Sequence, residues 1–428
     1  AKASIIFLLL LFVSFQVSSG DRNQTRLNRN VSQMDGSNVS FVPYNIAPQS
    51  IVFTAPLAQG FATDSILVGP EVFTGISGFY DFKSNGETNE YIQVDALNPL
   101  NIHVIDVQAD SLDQAGATTR RTKYSFSTDG GLTWELSVDV PNVRSGFGVL
   151  QLKDGAAVIS NHSTNAGNRL DANLYIDVAP LAATFNEYSH PNPSTRPFGI
   201  WPQISVYNNG NVGLISRRNV SSTVPPETLY YSVYTGGTQM SDRTPLWISG
   251  MNFIGTVGSN ARYHIANNNQ GRVTVIIAPV NENDTLENSK IFEITSTNNG
   301  TTWGPVNTAF APYTVNGGQD TVATAGGSFF VYKKNTNNWY LAYPVTTDNL
   351  FANGKLQLTK SDGSHTTICT VADVGGATTM SQSLAFVFTI DFPALGWSAD
   401  GSTLYCVYSV VKSDTSNGGF NQRDLYIQ

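Results

Sequence analysis

The sequence is short of charge, of cysteine and of long apolar runs. Only 13% of its 428 residues are Asp, Glu, Lys or Arg, which argues against the long solvated helices that such side chains sustain. Lys and Arg number 24 against 32 acidic residues, for a formal charge of −8, and no basic run occurs. A phosphate backbone calls for a basic stripe, so nucleic acid is not among the expected partners. The two cysteines, Cys369 and Cys406, lie in apolar runs; a disulfide and a pair of buried thiols both fit, and the fold depends on neither. No His/Cys/Asp cluster has metal-ligand spacing. A loop-bound calcium is left open, and no other cofactor is indicated. The one long apolar run, Ile5 to Phe15, is well short of the roughly 20 residues that span a bilayer.

That run follows Lys2 and precedes Val17-Ser18-Ser19-Gly20. A positive start, a short apolar stretch and small residues at a cleavage site make a secretory signal. Residues 1–20 are therefore expected to be a signal peptide, and the protein to be secreted or held at the cell surface with no span after cleavage. Residues 21–50 are polar and rich in Asn, Ser and Arg, which predicts a flexible leader. Residues 51–428 are the folded domain, and a composition 41% hydrophobic and 11% aromatic is ample for a large core.

From about residue 91 one pattern returns: an apolar strand, a turn of Asn, Asp, Gly or Lys, and a second apolar strand. Tyr91–Ala96 with Asn101–Val107, Phe147–Leu152 with Ala156–Ile159, and Ile204–Tyr207 with Val212–Ile215 are the first three. Tyr263–Ala266 with Arg272–Ala278, Ser328–Tyr332 with Trp339–Tyr343, and Leu395–Ser398 with Thr403–Val410 complete the set. The turns recur every 55–67 residues or so, and four strands of about five residues with their turns fill such a period. Six units of this kind predict an all-β, six-bladed β-propeller with four-stranded antiparallel blades. The last unit reaches the C-terminal residues, so closure is expected from an N-terminal strand, with Ser50–Thr54 or Val72-Phe73 as donor; an open blade would leave unpaired edges.

Ser127-Thr128-Asp129-Gly130-Gly131-Leu132-Thr133-Trp134 matches the Asp-box pattern Ser-x-Asp-x-Gly-x-Thr-Trp. A second copy, Ser296-Thr297-Asn298-Asn299-Gly300-Thr301-Thr302-Trp303, differs by Asn for Asp, and Thr359-Lys360-Ser361-Asp362-Gly363 is a decayed third. The expected structural residues are Ser127, Asp129, Gly131 and Trp134 with Ser296, Asn298, Gly300 and Trp303. The Asp or Asn bonds turn amides, Gly supplies positive φ and Trp caps the space between sheets. On these motifs residues 50–428 resemble the sialidase-like, BNR or Asp-box, propellers, and the Arg120–Phe126 approach resembles exported surface propellers of Bacteroidetes-type bacteria.

The resemblance implies, for an active sialidase, three arginines that clamp a carboxylate, a Tyr nucleophile with a Glu partner, and an Asp acid/base. The first arginine belongs to an Arg-Ile-Pro motif. This chain has no Arg-Ile-Pro, and no arginine between Arg29 and Arg120, so the first blade cannot supply the clamp. A hydrolase of neutral glycans needs two facing carboxylates, for which Asp81, Glu87, Glu90, Asp95, Asp320 and Asp391 are available. Ligand-binding candidates lie in the loops that lead into the inner strands: Tyr80, Asp81, Arg196, Trp201, Arg262, His264, Gln319 and Asp320. Aromatic rings beside Arg, Gln and Asp suit sugar faces and hydroxyls, although Trp201 and Tyr263 also suit the gap between blades, and His264 a hydrogen-bonded core. The reading that follows is a non-catalytic module that binds carbohydrate or a surface protein, with a secreted glycoside hydrolase and a self-associating surface-layer or fibre subunit as alternatives.

Overall fold

The computed structural model describes residues 74–76, 90–113, 118–164, 169–191, 198–218, 229–246, 262–278, 290–310, 313–315, 320–322, 328–345, 354–374, 390–398, 400–412 and 422–427. The described elements are all strands, in keeping with the scarcity of charge. The first sheet contains β1 (Ile92–Val94), β2 (Ile102–Gln108), β3 (Arg121–Ser127) and β4 (Val138–Asp139). The second has β5 (Ser145–Lys153), β6 (Ala156–Thr164), β7 (Leu170–Asp177) and β8 (Phe185–Tyr188). The third has β9 (Gly199–Val206), β10 (Val212–Arg218), β11 (Leu229–Tyr234) and β12 (Thr244–Leu246). The fourth has β13 (Arg262–Asn267), β14 (Val273–Ala278), β15 (Ile291–Ser296) and β16 (Val306–Phe310).

A short hairpin of β17 (Tyr313–Val315) and β18 (Asp320–Val322) follows. The fifth sheet has β19 (Phe329–Tyr332), β20 (Trp339–Val345), β21 (Lys355–Lys360) and β22 (His365–Thr370). The last has three strands, β23 (Ile390–Trp397), β24 (Leu404–Lys412) and β25 (Gln422–Ile427). Within each sheet the strands lie in chain order, antiparallel to their neighbours. The six strand pairs read from the sequence are the first two strands of these six sheets. The expectation of four-stranded antiparallel sheets holds for five of them.

Consecutive sheets stack through their faces. Alternation puts His103, Ile105, Val107, Thr122 and Tyr124 of the first sheet on one buried face, where Ile105 and Tyr124 join Leu150, Ile159 and Tyr175 of the second. Tyr207, Ile215 and Tyr231 of the third pack with Tyr263, Val275 and Ile294 of the fourth. Leu356 and Cys369 of the fifth meet Leu395, Cys406 and Tyr408 of the last. Cys369 and Cys406 are both free and buried, which settles the open alternative in favour of thiols. Burial pushes them up to about 11 and about 12 respectively, out of the reactive range.

The outer turns of the first and fourth sheets are the two Asp boxes. Ser127 Oγ accepts from the amides of Gly131 (2.8 Å) and Asp129 (3.3 Å) and donates to Asp129 Oδ1 (2.8 Å). Asp129 accepts from the Thr133 amide (2.9 Å) and hydroxyl (2.6 Å), bonds that hold its carboxyl down at about 2. In the second copy Ser296 and Asn298 repeat this pattern, and Asn298 Nδ2 donates to Thr302 Oγ1 at 2.9 Å. Trp303 sets its ring edge-on to Tyr231 of the third sheet, 5.0 Å between centroids. Gly300, at φ 78°, lies so close to the Tyr231 hydroxyl that a Cβ there would overlap it. The decayed third motif also joins the two outer strands of its sheet, β21 and β22, with Asp362 Oδ1 accepting from the Ser364 amide at 2.8 Å.

Candidate functional site

Because every sheet is a simple meander, its connections fall alternately at two ends. At one end lie 95–101, 154–155, 178–184, 207–211, 235–243, 268–272, 333–338, 361–364 and 398–403 with the Asp boxes. At the other, beside the short 140–144 and 165–169, lie the longest connections, 109–120, 247–261, 279–290 and 371–389. Loops carried on a rigid scaffold are where binding groups concentrate, so the loop end is the candidate functional face. Most of these loop residues lie outside the described set, as do Tyr80, Asp81, Arg196 and Gln319; Arg262 and Asp320 are described as backbone in β13 and β18 only.

Trp201 and His264 are described in full, and the fold places them differently. Trp201 sits near the start of β9 at φ 51°, where a bulge displaces the β9–β10 register. Phe147 occupies the matching place in β5, at φ 52° and again in a bulge. Left-handed backbone is uncommon for large aromatic residues, and each ring is held by an arginine: Arg217 lies 4.1 Å from the Trp201 centroid and Arg120 4.9 Å from that of Phe147. The Tyr263 hydroxyl donates to the Trp201 carbonyl at 2.5 Å. Arg120 bonds the Ser145 carbonyl (2.9 Å) and His162 Nε2 (3.2 Å). Burial, then the charges of Arg120 and Arg144, push His162 well below its usual range and keep it neutral. These side chains lock sheets one to four together. In this seam Tyr263 is buried and Trp201 half-buried.

A second polar cluster forms where the first strands converge. Beyond the start of β1, the Glu90 carbonyl accepts from the Leu150 amide of β5 at 2.8 Å. Its carboxylate accepts from Gln93 Nε2 through Oε2 at 2.7 Å, and His264 Nε2 of β13 lies 3.2 Å from Oε1. Gln151 Nε2 of β5 stands at 3.4 and 3.5 Å from the two oxygens, while its Oε1 accepts from the Val206 amide at 2.8 Å. Phe329 of β19 packs on the His264 ring, 4.4 Å between centroids. Side chains from the first, second, fourth and fifth sheets therefore meet around one carboxylate. His264 is 3% exposed and the Glu90 side chain 15%, so the histidine is the more deeply buried of the two.

Glu90 was one carboxylate among several in the sequence, and its partners Gln93 and Gln151 carried no signal. Their meeting depends on strands some 60 and 170 residues apart in the chain. Asp95 is buried at the β1–β2 turn, bonding the Leu97 amide at 2.9 Å, and has a structural part. Among the described residues no group of three or more His, Cys, Asp or Glu could hold a metal.

No protein-family model and no curated protein matches the sequence. Solved structures do align with the fold. A protein of unknown function from Dyadobacter fermentans aligns over 82% of this chain and 96% of its own, at 11% identity and a TM-score of 0.47. An α-L-arabinanase from Penicillium chrysogenum, solved with arabinobiose, covers 80% and 95% at 13% identity and 0.47. The NanB sialidase of Streptococcus pneumoniae covers 79% and 67% at 9% identity and 0.44. The chain resembles sialidase-like propellers. With so few residues shared, its architecture rests on its own strand pairing and Asp boxes.

Proposed function

We propose that the chain is an exported, six-bladed propeller that binds carbohydrate at its loop end without hydrolysing it. The observation that carries this reading is the convergence of β1, β5, β13 and their neighbours on the carboxylate of Glu90. Glycoside hydrolysis takes two carboxyl groups about 5–10 Å apart, and the described cluster holds one, flanked by amides and an imidazole. Carboxylate, amide and imidazole are hydrogen-bonding groups matched to sugar hydroxyls.

A closed ring of six blades is supported from two sides. Glu90 of the first sheet meets His264 of the fourth, as opposite members of a six-membered ring do at a common axis. The two end sheets also present apolar residues with no described sheet against them: Ile92 and Val94 are more than half exposed in the first, and Tyr405 is 45% exposed in the last. These faces would pack on each other on closure, and a strand from the N-terminal region would complete the three-stranded last sheet.

Binding is tested by presenting the mature protein to a glycan array and then incubating the bound glycans. Retention with no reducing ends released supports the reading. Release of reducing ends that Glu90→Gln abolishes would establish a hydrolase in its place. Export is tested by N-terminal sequencing of the native protein, with a start just after Gly20 expected.

A further inference from the structure

The Glu90 cluster carries information about which sugars the site accepts, an inference that rests on the carbohydrate reading above. An ionised carboxylate is an acceptor only, with about four lone-pair positions. Here one is taken by Gln93 at 2.7 Å and one is directed to His264 at 3.2 Å, while Gln151 approaches at 3.4 and 3.5 Å, beyond good hydrogen-bond geometry. Acceptor capacity therefore remains on the group, whose side chain is 15% exposed. Among the described residues His264 is the cationisable partner of this carboxylate, and no lysine or arginine bonds to it. The ring of His264 is packed against Phe329, and its Nδ1 is buried with no hydrogen-bond partner among the described residues.

We infer that Glu90 is a hydroxyl-accepting subsite for uncharged saccharides, oriented by His264 and closed to acidic ones. A sugar hydroxyl donates to the free lone pairs of the carboxylate. A uronate or sialate carboxylate in the same place brings a like charge into a half-buried setting where screening is weak, and it has no proton to donate. Gln93 holds the acceptor in place without neutralising it. His264 is a positioning residue: it acts through Glu90.

The test is calorimetric binding of matched hexasaccharides that differ only in oxidation at C6, mannose against mannuronate and galactose against galacturonate. Preference for the neutral member of each pair by at least tenfold is expected. Glu90→Gln removes the charge and should bring the two affinities to within about threefold. His264→Ala should weaken neutral binding at least tenfold, and His264→Gln, whose amide can still reach Glu90, should restore most of it. Equal or tighter binding of the uronates by the unaltered protein would overturn the inference and leave carbohydrate binding intact. Binding of neither member, with an array negative for all glycans, would overturn the carbohydrate reading itself.

Discussion

At the level of single residues, the Asp boxes show how a few polar atoms fix a turn. Ser127 is buried and receives the Gly131 amide, so Ser127→Ala strands a partly buried N–H. A loss of about 1–3 kcal/mol is expected in denaturant unfolding. Asp129 has its carboxyl held at about 2, chiefly by Thr133, below the usual value of 3.8. Its stabilisation is present above pH 4 and is lost as the pH falls from about 4 to about 2. Nature's own variant stands in the fourth sheet, where Asn298 makes the same backbone bonds with no charge. Asp129→Asn should therefore keep the fold at neutral pH and flatten the fall in Tm between pH 4 and pH 2; an unchanged acid profile would show that this carboxyl is not coupled to unfolding.

At the level of strands and sheets, the seams carry the selective interactions. Asp171 of β7 and Arg243, just before β12, form a pair at 2.6 Å with both side chains nearly inaccessible. Asp171 also accepts from the Gly199 amide at the start of β9 (3.0 Å), and Arg243 reaches the Ala172 carbonyl and His190 Nδ1, both at 3.2 Å. The second sheet is thereby pinned to the third. Removing one partner of a buried pair leaves an uncompensated charge, which costs about 3–5 kcal/mol. Asp171→Ala should be destabilised by that amount in guanidinium unfolding, whereas Lys123→Ala, which breaks a partly exposed pair with Asp139 at 2.7 Å, should lose less than about 1 kcal/mol. Similar losses from the two would refute the difference in burial as the cause.

For the whole molecule, the exposed apolar residues of the first and last sheets, Ile92, Val94 and Tyr405, are where the proposed ring would close. Burying a side chain such as Ile92 or Val94 contributes about 1.5–3 kcal/mol, and the completed edge removes unpaired strand groups that favour aggregation. Truncation to residue 49, which spares both donor segments, should leave Tm nearly unchanged. Truncation to residue 73, which removes Ser50–Thr54 and Val72-Phe73, should lower it and promote aggregation. Equal Tm for the two would exclude closure from either segment. Gly75 stands at φ 73° hard against the Glu135 carbonyl, so Gly75→Ala should weaken the attachment of the chain beside the first sheet.

Much of the local plan was readable from the sequence because it depends on neighbours in the chain. The six hairpins were marked by turn residues between apolar runs, and the Asp boxes by Ser, Asp or Asn, Gly and Trp at fixed spacing. The sixth hairpin turn carried Asp-box-like bonding that the sequence did not mark: Ser398 and Asp400 bond each other at 2.6 Å between β23 and β24, with the Thr403 amide on Ser398 Oγ at 2.9 Å, and no Trp follows to complete the motif. The site was not readable. Trp201 and His264 were both flagged, yet only the sheets decide that one ring fills a seam under Arg217 while the other backs a carboxylate. The amino-acid sequence by itself determined strands, turns and their order, since these follow from local backbone preference and alternation. Tertiary structure alone determined which side chains meet at Glu90, since that meeting is made by sheet stacking between residues distant in the chain.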